Sequence, residues 1–317
     1  MASTINLPLM HPVHSIGKLK ILGADILDLL NRLSTNTILG LDDFDSRHTI
    51  LTNDKGRIID ITYLVCLPDE FILLTSAEQD SQVLQWLDKY TIMEDIAYEN
   101  ITQQYASYHL IGTNSINKLS SFIRPKTSNG NVSSIVVNDL TGWCVPYNLG
   151  SLPSYLLIMP NAFKKHYETN LGDLFQEINE EEYENIRIEH AFPMHGAELN
   201  ETYNPLEAGL IGAIDFRKGC YIGQEVIARL DTYKKVQKNL VLLNFSNSYK
   251  ASVNDPLFYN QKKVGFITSI KQDFSGKPEA GLAYINIASA TIGTPVELPS
   301  GQVAIIKDIP LLFGEEQ

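Results

Sequence analysis

The most informative segment of the chain reads Lys218-Gly219-Cys220-Tyr221-Ile222-Gly223-Gln224-Glu225. Two cations, Arg217 and Lys218, come just before Cys220, and apolar spacing predicts a helix over residues 224–230. A thiol beside cations near a helix N-terminus tends toward the thiolate, the form that attacks electrophiles and binds metals. The residues alone leave open the alternative that Cys220 is a small buried side chain in a glycine-bounded turn.

The same region is basic within an acidic protein. Residues 214–238 carry six basic and three acidic side chains, a local charge of +3. The whole 317-residue chain has a net charge of −12 and a sequence pI near 5.0. A local positive charge attracts an anionic ligand. Nucleic acid is not expected as the main ligand, because duplex binding needs a broad basic surface.

Composition and cysteine usage indicate a globular protein in a reducing compartment. The chain is 44% hydrophobic and 20% charged, and its three cysteines have no metal-like spacing. Residues 1–20 lack the pattern of a signal or transit peptide, and no apolar run approaches the ~20 residues that span a bilayer. We therefore expect a cytoplasmic protein with no membrane partner. Cys66 and Cys144 lie in strand-like apolar stretches and are expected in the core.

Two regions of the N-terminal two-thirds share an order of elements. A strand ends at Gly23 and is followed by an amphipathic helix that ends at Leu33; two strands and a second helix come after it. A strand that ends at Gly112 begins a similar series, with a strand over 155–159 and a helix over 163–171. This order predicts a duplicated α+β unit of ferredoxin-like type.

Ser76 and Gln79 have the spacing of a capping box. They predict that the second helix of the first unit begins at Ser76.

The chain after Lys234 is rich in short strands. Turn residues such as Ser300-Gly301 separate six strand candidates, which predict a small separate β-barrel or sandwich, and we take the barrel as the expectation. The candidates are 239–245, 257–259, 264–270, 282–285, 295–298 and 303–309. The fold class is thus α+β with a C-terminal β-barrel. The predicted domains are 1–105, 106–233, which includes the segment around Cys220, and 234–317, with discontinuous boundaries left open.

Residues 218–225 resemble the K-G-C-(F/Y)-x-G-Q-E signature of YgfZ-type proteins, folate-binding relatives of the glycine-cleavage T-protein (GcvT), an aminomethyltransferase. Other stretches resemble the family in the same order, although Ala191 stands where glycine is usual. They are Arg187-Ile188-Glu189 with Pro193, Gly196 and Glu198-Leu199, then Asn204-Pro205-Leu206-Glu207-Ala208-Gly209-Leu210, then Val264-Gly265-Phe266-Ile267-Thr268-Ser269 with Gly281-Leu282-Ala283-Tyr284-Ile285.

The resemblance implies three domains in a ring around a central cavity that holds tetrahydrofolate. Asp60 falls on the first acidic residue of the family's G-G-x-x-D-D pattern, and Ile61 replaces the second. A carboxylate can accept hydrogen bonds from pterin N–H groups or stabilise a developing cation. The alternative is that Asp60 pairs with Arg57 or ends a strand.

The departures from the T-protein pattern favour the YgfZ branch. T-proteins carry an aromatic-T-G-E-x-G segment, whereas this chain has Leu140-Thr141-Gly142-Trp143-Cys144, with no glutamate after the glycine. T-proteins also lack a cysteine motif at the position of Cys220. The resemblance therefore implies a protein that supports iron–sulfur enzymes rather than one that cleaves glycine.

The candidate site residues follow from this resemblance. Cys220, as the functional thiol, and Asp60 are the candidate catalytic residues. The candidate folate-binding residues are Asp60, Arg187, Glu189, Lys218, Gly219, Tyr221 and Gln224. No metal site is predicted, because the seven histidines show no ligand spacing.

Three hypotheses for function remain. The first is a tetrahydrofolate-binding accessory protein for iron–sulfur cluster assembly or repair, which works through Cys220, contacts a cluster transiently and has assembly or client proteins as partners. The second is a folate-dependent aminomethyltransferase or demethylase that uses Asp60, Arg187 and the barrel. The third is a scaffold that has lost the ligand. The sequence does not decide whether the protein turns over a substrate.

Overall fold

The computed structural model describes residues 8–119, 131–137, 140–245, 250–273 and 275–314. The chain divides into two compact units: Met1–Leu51 with Asp60–Glu180, and Thr52–Ile59 with Glu181–Gln317. No helix in the described ranges is long and apolar enough to cross a membrane.

The helices of the described ranges are α1 (Ile26–Leu33), α2 (Asp80–Tyr90), α3 (Ser115–Leu119), α4 (Lys164–Gly172), α5 (Glu180–Glu189) and α6 (Gln224–Thr232). The strands are β1 (Leu9–Pro12), β2 (Ile16–Leu22), β3 (Ser46–Thr52), β4 (Ile58–Cys66), β5 (Phe71–Ala77), β6 (Ala97–Asn100), β7 (Tyr105–Ile111), β8 (Ser133–Val137), β9 (Leu140–Pro146), β10 (Ser154–Pro160), β11 (Gln176–Glu177), β12 (Lys238–Phe245), β13 (Pro256–Tyr259), β14 (Lys262–Gln272), β15 (Pro278–Asn286), β16 (Pro295–Glu297) and β17 (Val303–Asp308).

The first unit contains two sheets. One has the order β3-β4-β5-β2-β6, and the other has the order β11-β1-β7-β10-β9-β8. Helix α1 forms as its apolar spacing predicts and buries one face against the core. That face consists of Ile26, Leu29, Leu30 and Leu33.

Side chains from both sheets share one hydrophobic cluster. Strands β4 and β5 contribute Tyr63, Val65, Ile72 and Leu74, and strands β9 and β10 contribute Trp143, Val145, Leu156 and Ile158. Successive side chains of a strand point to opposite faces, so these i, i+2 sets define one buried face of each sheet. Burial of this apolar surface is the main stabilising contribution to the unit.

The second unit contains a closed six-stranded barrel of order β12-β15-β14-β13-β16-β17. Along β12, Val241, Leu243 and Phe245 point into the barrel core. Closure leaves no unpaired strand edge. All six strands predicted from the sequence are present, so the prediction of a C-terminal barrel is confirmed.

The mixed α/β character is also confirmed, and Cys66 and Cys144 are buried as predicted. The order of strand, glycine and helix does occur twice, and the two glycines, Gly23 (φ 125°) and Gly112 (φ 119°), share a backbone conformation. The ferredoxin-like duplication, the ring arrangement and the domain boundaries at 105/106 and 233/234 stay predictions. The expected helix after Gly112 runs in part through residues 120–130, which lie outside the described ranges.

The predicted capping box of Ser76 and Gln79 is wrong. Helix α2 begins at Asp80 with Gln79 as its N-cap residue, and no side chain caps it. Ser76 lies instead near the end of β5, where its backbone N–H donates to the carboxyl of Asp60.

The shared cluster of the first unit makes a stability prediction. Ile72 is fully buried, whereas Ile92 is 84% exposed. We expect Ile72→Ala to lower the free energy of unfolding by about 2–5 kcal/mol, and Ile92→Ala to change it by less than about 0.5 kcal/mol. Both tryptophans, Trp86 and Trp143, belong to this unit, so urea unfolding followed by tryptophan fluorescence measures the difference. Equal losses would contradict the assignment of the core.

Candidate functional site

Asp60 lies on β4 with a carboxyl group that has no exposure to solvent. Its Oδ2 accepts a hydrogen bond of 3.0 Å from the backbone N–H of Ser76. Its Oδ1 is buried and has no hydrogen-bond partner among the described residues. A buried polar atom without a hydrogen-bond partner is energetically costly.

Burial controls the protonation of Asp60. Removal from water raises the pKa of its carboxyl to about 7, although the hydrogen bonds from Ser76 and the backbone of Ile61 act in the opposite direction. The group is therefore poised to gain or lose a proton near neutral pH, the range in which a carboxyl serves best as general acid or base. Arg57 does not pair with it: its guanidinium donates to Glu207 (3.3 Å) and to the carbonyl of Thr202 (2.9 Å).

An aromatic group of side chains accompanies Asp60 in the first unit. The rings of His48 and Tyr63 lie 4.2 Å apart between centroids, and the ring of Tyr147 lies 5.5 Å from His48. Burial and then the charge of Asp60 raise the pKa of Tyr147. Burial lowers the pKa of His48 to about 3. His48 and Tyr147 are therefore neutral at physiological pH.

The segment around Cys220 lies in the second unit as a loop that ends at the start of α6. Cys220 is exposed, so the alternative of a buried structural cysteine is wrong. Tyr221 is buried, and the Nζ of Lys218 lies 5.4 Å from the centre of its ring. Burial lowers the pKa of Lys218 to about 8 against the opposing charge of Asp215.

Gly223 joins this loop to residues 52–59. Its φ of 84° lies in the left-handed region, and a Cβ there would stand 2.7 Å from the carbonyl oxygen of Asn53. The hydroxyl of Thr52 donates to the carbonyl of Ile222 at 2.6 Å. Close packing therefore explains why a glycine stands at position 223: it lets the turn that precedes Asp60 in the chain approach the start of α6.

Arg187 forms a buried ion-pair network in the second unit. Its Nη1 lies 3.3 Å from Glu198, its Nη2 donates to Ser269 at 3.0 Å, and its Nε donates to Glu184 at 2.7 Å. Ser269 in turn donates to Glu198 at 2.6 Å. Such a network leaves each charge compensated, and removal of one member exposes the others to a large desolvation cost. Its evident contribution is to fix α5 on β14.

Glu189 also bonds to the barrel, through an ion pair of 3.0 Å with Lys271. Near α6, the side-chain amide of Gln224 donates to the carbonyl of Lys218 at 3.4 Å. Gly219 has open space where a side chain would stand.

The structure therefore places five of the predicted residues in the loop before α6 and at the first residue of that helix, and it places Arg187 and Glu189 on α5. The five are Lys218, Gly219, Cys220, Tyr221 and Gln224. Asp60 belongs to the other unit. The folate-binding roles of all these residues stay predictions.

Two contributors were not identified from the sequence. Ser76 was interpreted as a helix cap because its spacing to Gln79 fits one. Glu198 was noted only as part of the resemblance, because a buried partner for Arg187 eleven residues away has no local signal. No group of three or more His, Cys, Asp or Glu side chains in the described part of the chain could hold a metal ion.

Comparison with solved structures identifies the fold. Superposition on the glycine cleavage system aminomethyltransferase T of Bartonella henselae gives a TM-score of 0.80 over 98% of this chain and 88% of that one, at 18% identity. The two chains therefore share a fold.

Residues 9–142 match the family model of the GCVT N-terminal domain. An aminomethyltransferase of Halalkalibacterium halodurans is 23% identical over 90% of this chain and 80% of its own length. The chain is thus similar to the GCVT N-terminal domain over residues 9–142 and to aminomethyltransferases over most of its length, and these similarities do not distinguish a YgfZ-type branch.

The chain is also similar to two proteins whose names place them in organelles. A chloroplastic transferase-like protein of Arabidopsis thaliana is 28% identical over 93% of this chain and 69% of its own length. Human mitochondrial dimethylglycine dehydrogenase is 27% identical over 94% of this chain, which spans only 36% of that protein.

The raised pKa of Asp60 predicts a pH-dependent stability. The folded protein keeps the Asp60 proton up to about pH 7, whereas the unfolded chain releases it near its ordinary value of 3.8. The stabilising contribution is therefore present at low pH and is lost as the pH rises through about 7. Relative to Asp60→Asn, we expect the wild-type free energy of unfolding to fall by about 2–3 kcal/mol between about pH 5 and pH 8.

Urea unfolding of both proteins across that range, followed by tryptophan fluorescence, provides the measurement. The Asp60→Asn protein corrects for the other titrating groups, including the buried histidines. Parallel stability curves for the two proteins would show that Asp60 is ionised throughout.

Proposed function

We propose that this protein catalyses tetrahydrofolate-dependent one-carbon transfer of the aminomethyltransferase type. The observation that carries the proposal is the buried Asp60 carboxyl, with one oxygen bonded by Ser76 and the other without a partner, in a chain related to aminomethyltransferases. An unpartnered buried acceptor fits a ligand that offers N–H groups, and a pterin does so.

The relatives favour this reading over iron–sulfur cluster assembly. Two of those compared are named as aminomethyltransferases and one as dimethylglycine dehydrogenase, an enzyme named for a methylated amine. These names agree with transfer of carbon from an amine. The comparisons include nothing that favours an iron–sulfur cluster as ligand or iron–sulfur proteins as partners.

The chemistry assigned to Asp60 is proton transfer. Folate, when bound, supplies the nitrogen that accepts the one-carbon unit. As the folate nitrogen forms a bond to the one-carbon unit, Asp60 would take up the proton that this nitrogen releases. As the bond between that carbon and the donor amine breaks, Asp60 would return the proton to the departing amine. A carboxyl with a pKa of about 7 can carry a proton in both directions near neutral pH.

The test is binding and turnover with one matched control. We expect the wild-type protein to bind 5-formyl-tetrahydrofolate in calorimetry and to transfer methylene from an aminomethyl donor to tetrahydrofolate. Asp60→Ala should weaken binding at least about tenfold, the value of one charge-assisted hydrogen bond. Asp54→Ala changes an exposed carboxylate in the preceding turn and should leave the affinity unchanged.

The outcomes separate the hypotheses. Binding without turnover would contradict the transfer reaction and favour an accessory role. Absence of binding would favour a scaffold that has lost the ligand.

An iron–sulfur accessory role through Cys220 is the second candidate. One observation favours it: Cys220 is exposed in its loop, whereas Cys66 and Cys144 are buried with pKa values raised to about 12. Cys220 is thus the thiol of the described chain that an external electrophile or metal can reach. Its cluster clients and a cytoplasmic location are part of this second proposal.

Cys220→Ser tests the second candidate in cells that lack the protein. If the role is real, the variant should accumulate to normal levels and fail to restore the activity of iron–sulfur enzymes. Normal abundance with full restoration would remove the thiol from the mechanism, and Asp60→Ala in the same cells shows whether restoration depends on the carboxyl instead.

A further inference from the structure

The loop between α2 and β6 exposes two large apolar side chains side by side. Ile92 is 84% exposed and Met93 is 92% exposed, the two highest values among the large hydrophobic residues of the described chain. Single exposed apolar residues need no explanation, whereas a contiguous apolar surface at the tip of a loop is a candidate for contact with another molecule.

Hydrogen bonds hold this loop in one conformation. The Oε2 of Glu94 accepts from the backbone N–H of Ile92 at 2.8 Å and from that of Met93 at 3.1 Å. Its Oε1 accepts from the guanidinium of Arg32 on α1 at 2.9 Å. The two apolar side chains are thus presented by a backbone that is fixed to the first unit, so a contact loses little affinity to the ordering of the loop.

The border of this apolar tip is acidic. Residues 88–95 carry three acidic side chains, Asp88, Glu94 and Asp95, against one basic side chain, Lys89. Negative charge around an apolar tip favours a partner surface that is apolar at its centre and basic at its rim. It disfavours contact with an anionic membrane surface, which attracts basic segments.

The second unit contains an apolar cavity of about 180 Å³. It is lined by the end of α6, by β12 and by the chain that follows β17. Leu206 and Leu240 are buried at its base, and the exposed side chains of Ile211, Ile287 and Leu311 form its mouth. A cavity of about 150 Å³ with aliphatic walls binds a benzene molecule, so this one has room for one aliphatic side chain.

The rim of the cavity is basic. Residues 229–238 carry four basic side chains, Arg229, Lys234, Lys235 and Lys238, against one acidic side chain, Asp231. Lys234 lines the cavity, and its side chain is largely exposed beside Asp231, with which it forms an ion pair of 2.9 Å. The cavity therefore combines the apolar centre and the basic rim that the loop requires.

We propose that this protein self-associates: the loop at residues 91–95 of one copy binds the cavity in the second unit of another copy. The apolar tip enters the cavity mouth, and the acidic border of the loop faces the basic rim. Because the two surfaces differ, the contact is head-to-tail. It does not involve Asp60, so it does not depend on the proposed function.

The contact is small, and the association should be weak and reversible. We expect a dissociation constant of about 10–100 μM, as for transient contacts of limited area. At the roughly 1 μM that suffices for fluorescence, the chain is then monomeric. The Ile92→Ala protein in the unfolding experiment therefore tests the fold alone.

Sedimentation velocity of the intact chain between about 1 and 300 μM measures the association. The double change Ile92→Ser and Met93→Ser removes the apolar tip, and Leu311→Glu places a negative charge in the cavity mouth. Each should weaken association at least about tenfold, because each removes the centre of one surface. Val253→Ser changes a half-exposed apolar side chain outside both surfaces and should leave association unchanged.

A mixture of the two variants tests the pairing itself. The Leu311→Glu chain keeps its loop, and the Ile92→Ser, Met93→Ser chain keeps its cavity, so the mixture retains one intact contact. We expect dimers and no larger species in the mixture, while each variant alone is monomeric. Formation of the mixed dimer also shows that both variants are folded.

Three results would contradict the proposal. A wild-type chain that stays monomeric up to about 300 μM would overturn self-association and assign the loop to a different protein. Association that both variants retain would show that other surfaces carry it. Monomers in the mixture, at concentrations where the wild type associates, would overturn the pairing of loop with cavity.

Discussion

The burial of one carboxyl group is the constraint on which the candidate chemistry depends. Asp60 stands on an interior strand with no access to solvent, and the described residues provide a hydrogen-bond partner for only one of its two oxygens. A folded protein could lower this cost by replacing the carboxylate with an apolar side chain. Instead the neighbouring strand supplies the backbone N–H of Ser76 to one oxygen, and burial raises the pKa of the carboxyl to about 7. The arrangement gives up stability for a carboxyl that can exchange a proton, a common property of active sites.

Within the second unit, residues 52–59 are held by close packing of backbone. Gly223 leaves space for the carbonyl of Asn53, and Thr52 bonds the carbonyl of Ile222, so the turn before Asp60 is fixed against the start of α6. Residues that were singled out for chemistry thus also have a packing role. Arg187 is similar: its guanidinium is bonded on all sides by Glu184, Glu198 and Ser269. Its burial explains a need for arginine there without any ligand.

The sequence predicted the elements whose signal is local. The 3.6-residue apolar spacing from Ile26 to Leu33 predicts a helix, and the turn residues after Lys234 predict a series of short strands. Both signals depend only on residues a few positions apart, and both predictions are confirmed. The site was predicted less completely. Ser76 has the spacing of a cap, but it bonds a carboxyl sixteen residues earlier on another strand, and such a partner appears only when the strands pair. Glu198 could likewise not be predicted as the partner of the buried Arg187, because the two side chains meet only in the folded second unit.

The path of the chain at Thr52–Ile59 has a practical consequence for dissecting the protein. These eight residues belong to the second unit, while the segments on both sides belong to the first. No single cut in the chain therefore separates the two units, because a cut near residue 180 leaves residues 52–59 of the second unit attached to the first. A fragment ending near residue 180 would carry a turn whose packing partners, Ile222 and Gly223, are missing. If the two halves were expressed separately, residues 52–59 would lack these packing partners. Functional measurements should therefore use the intact chain.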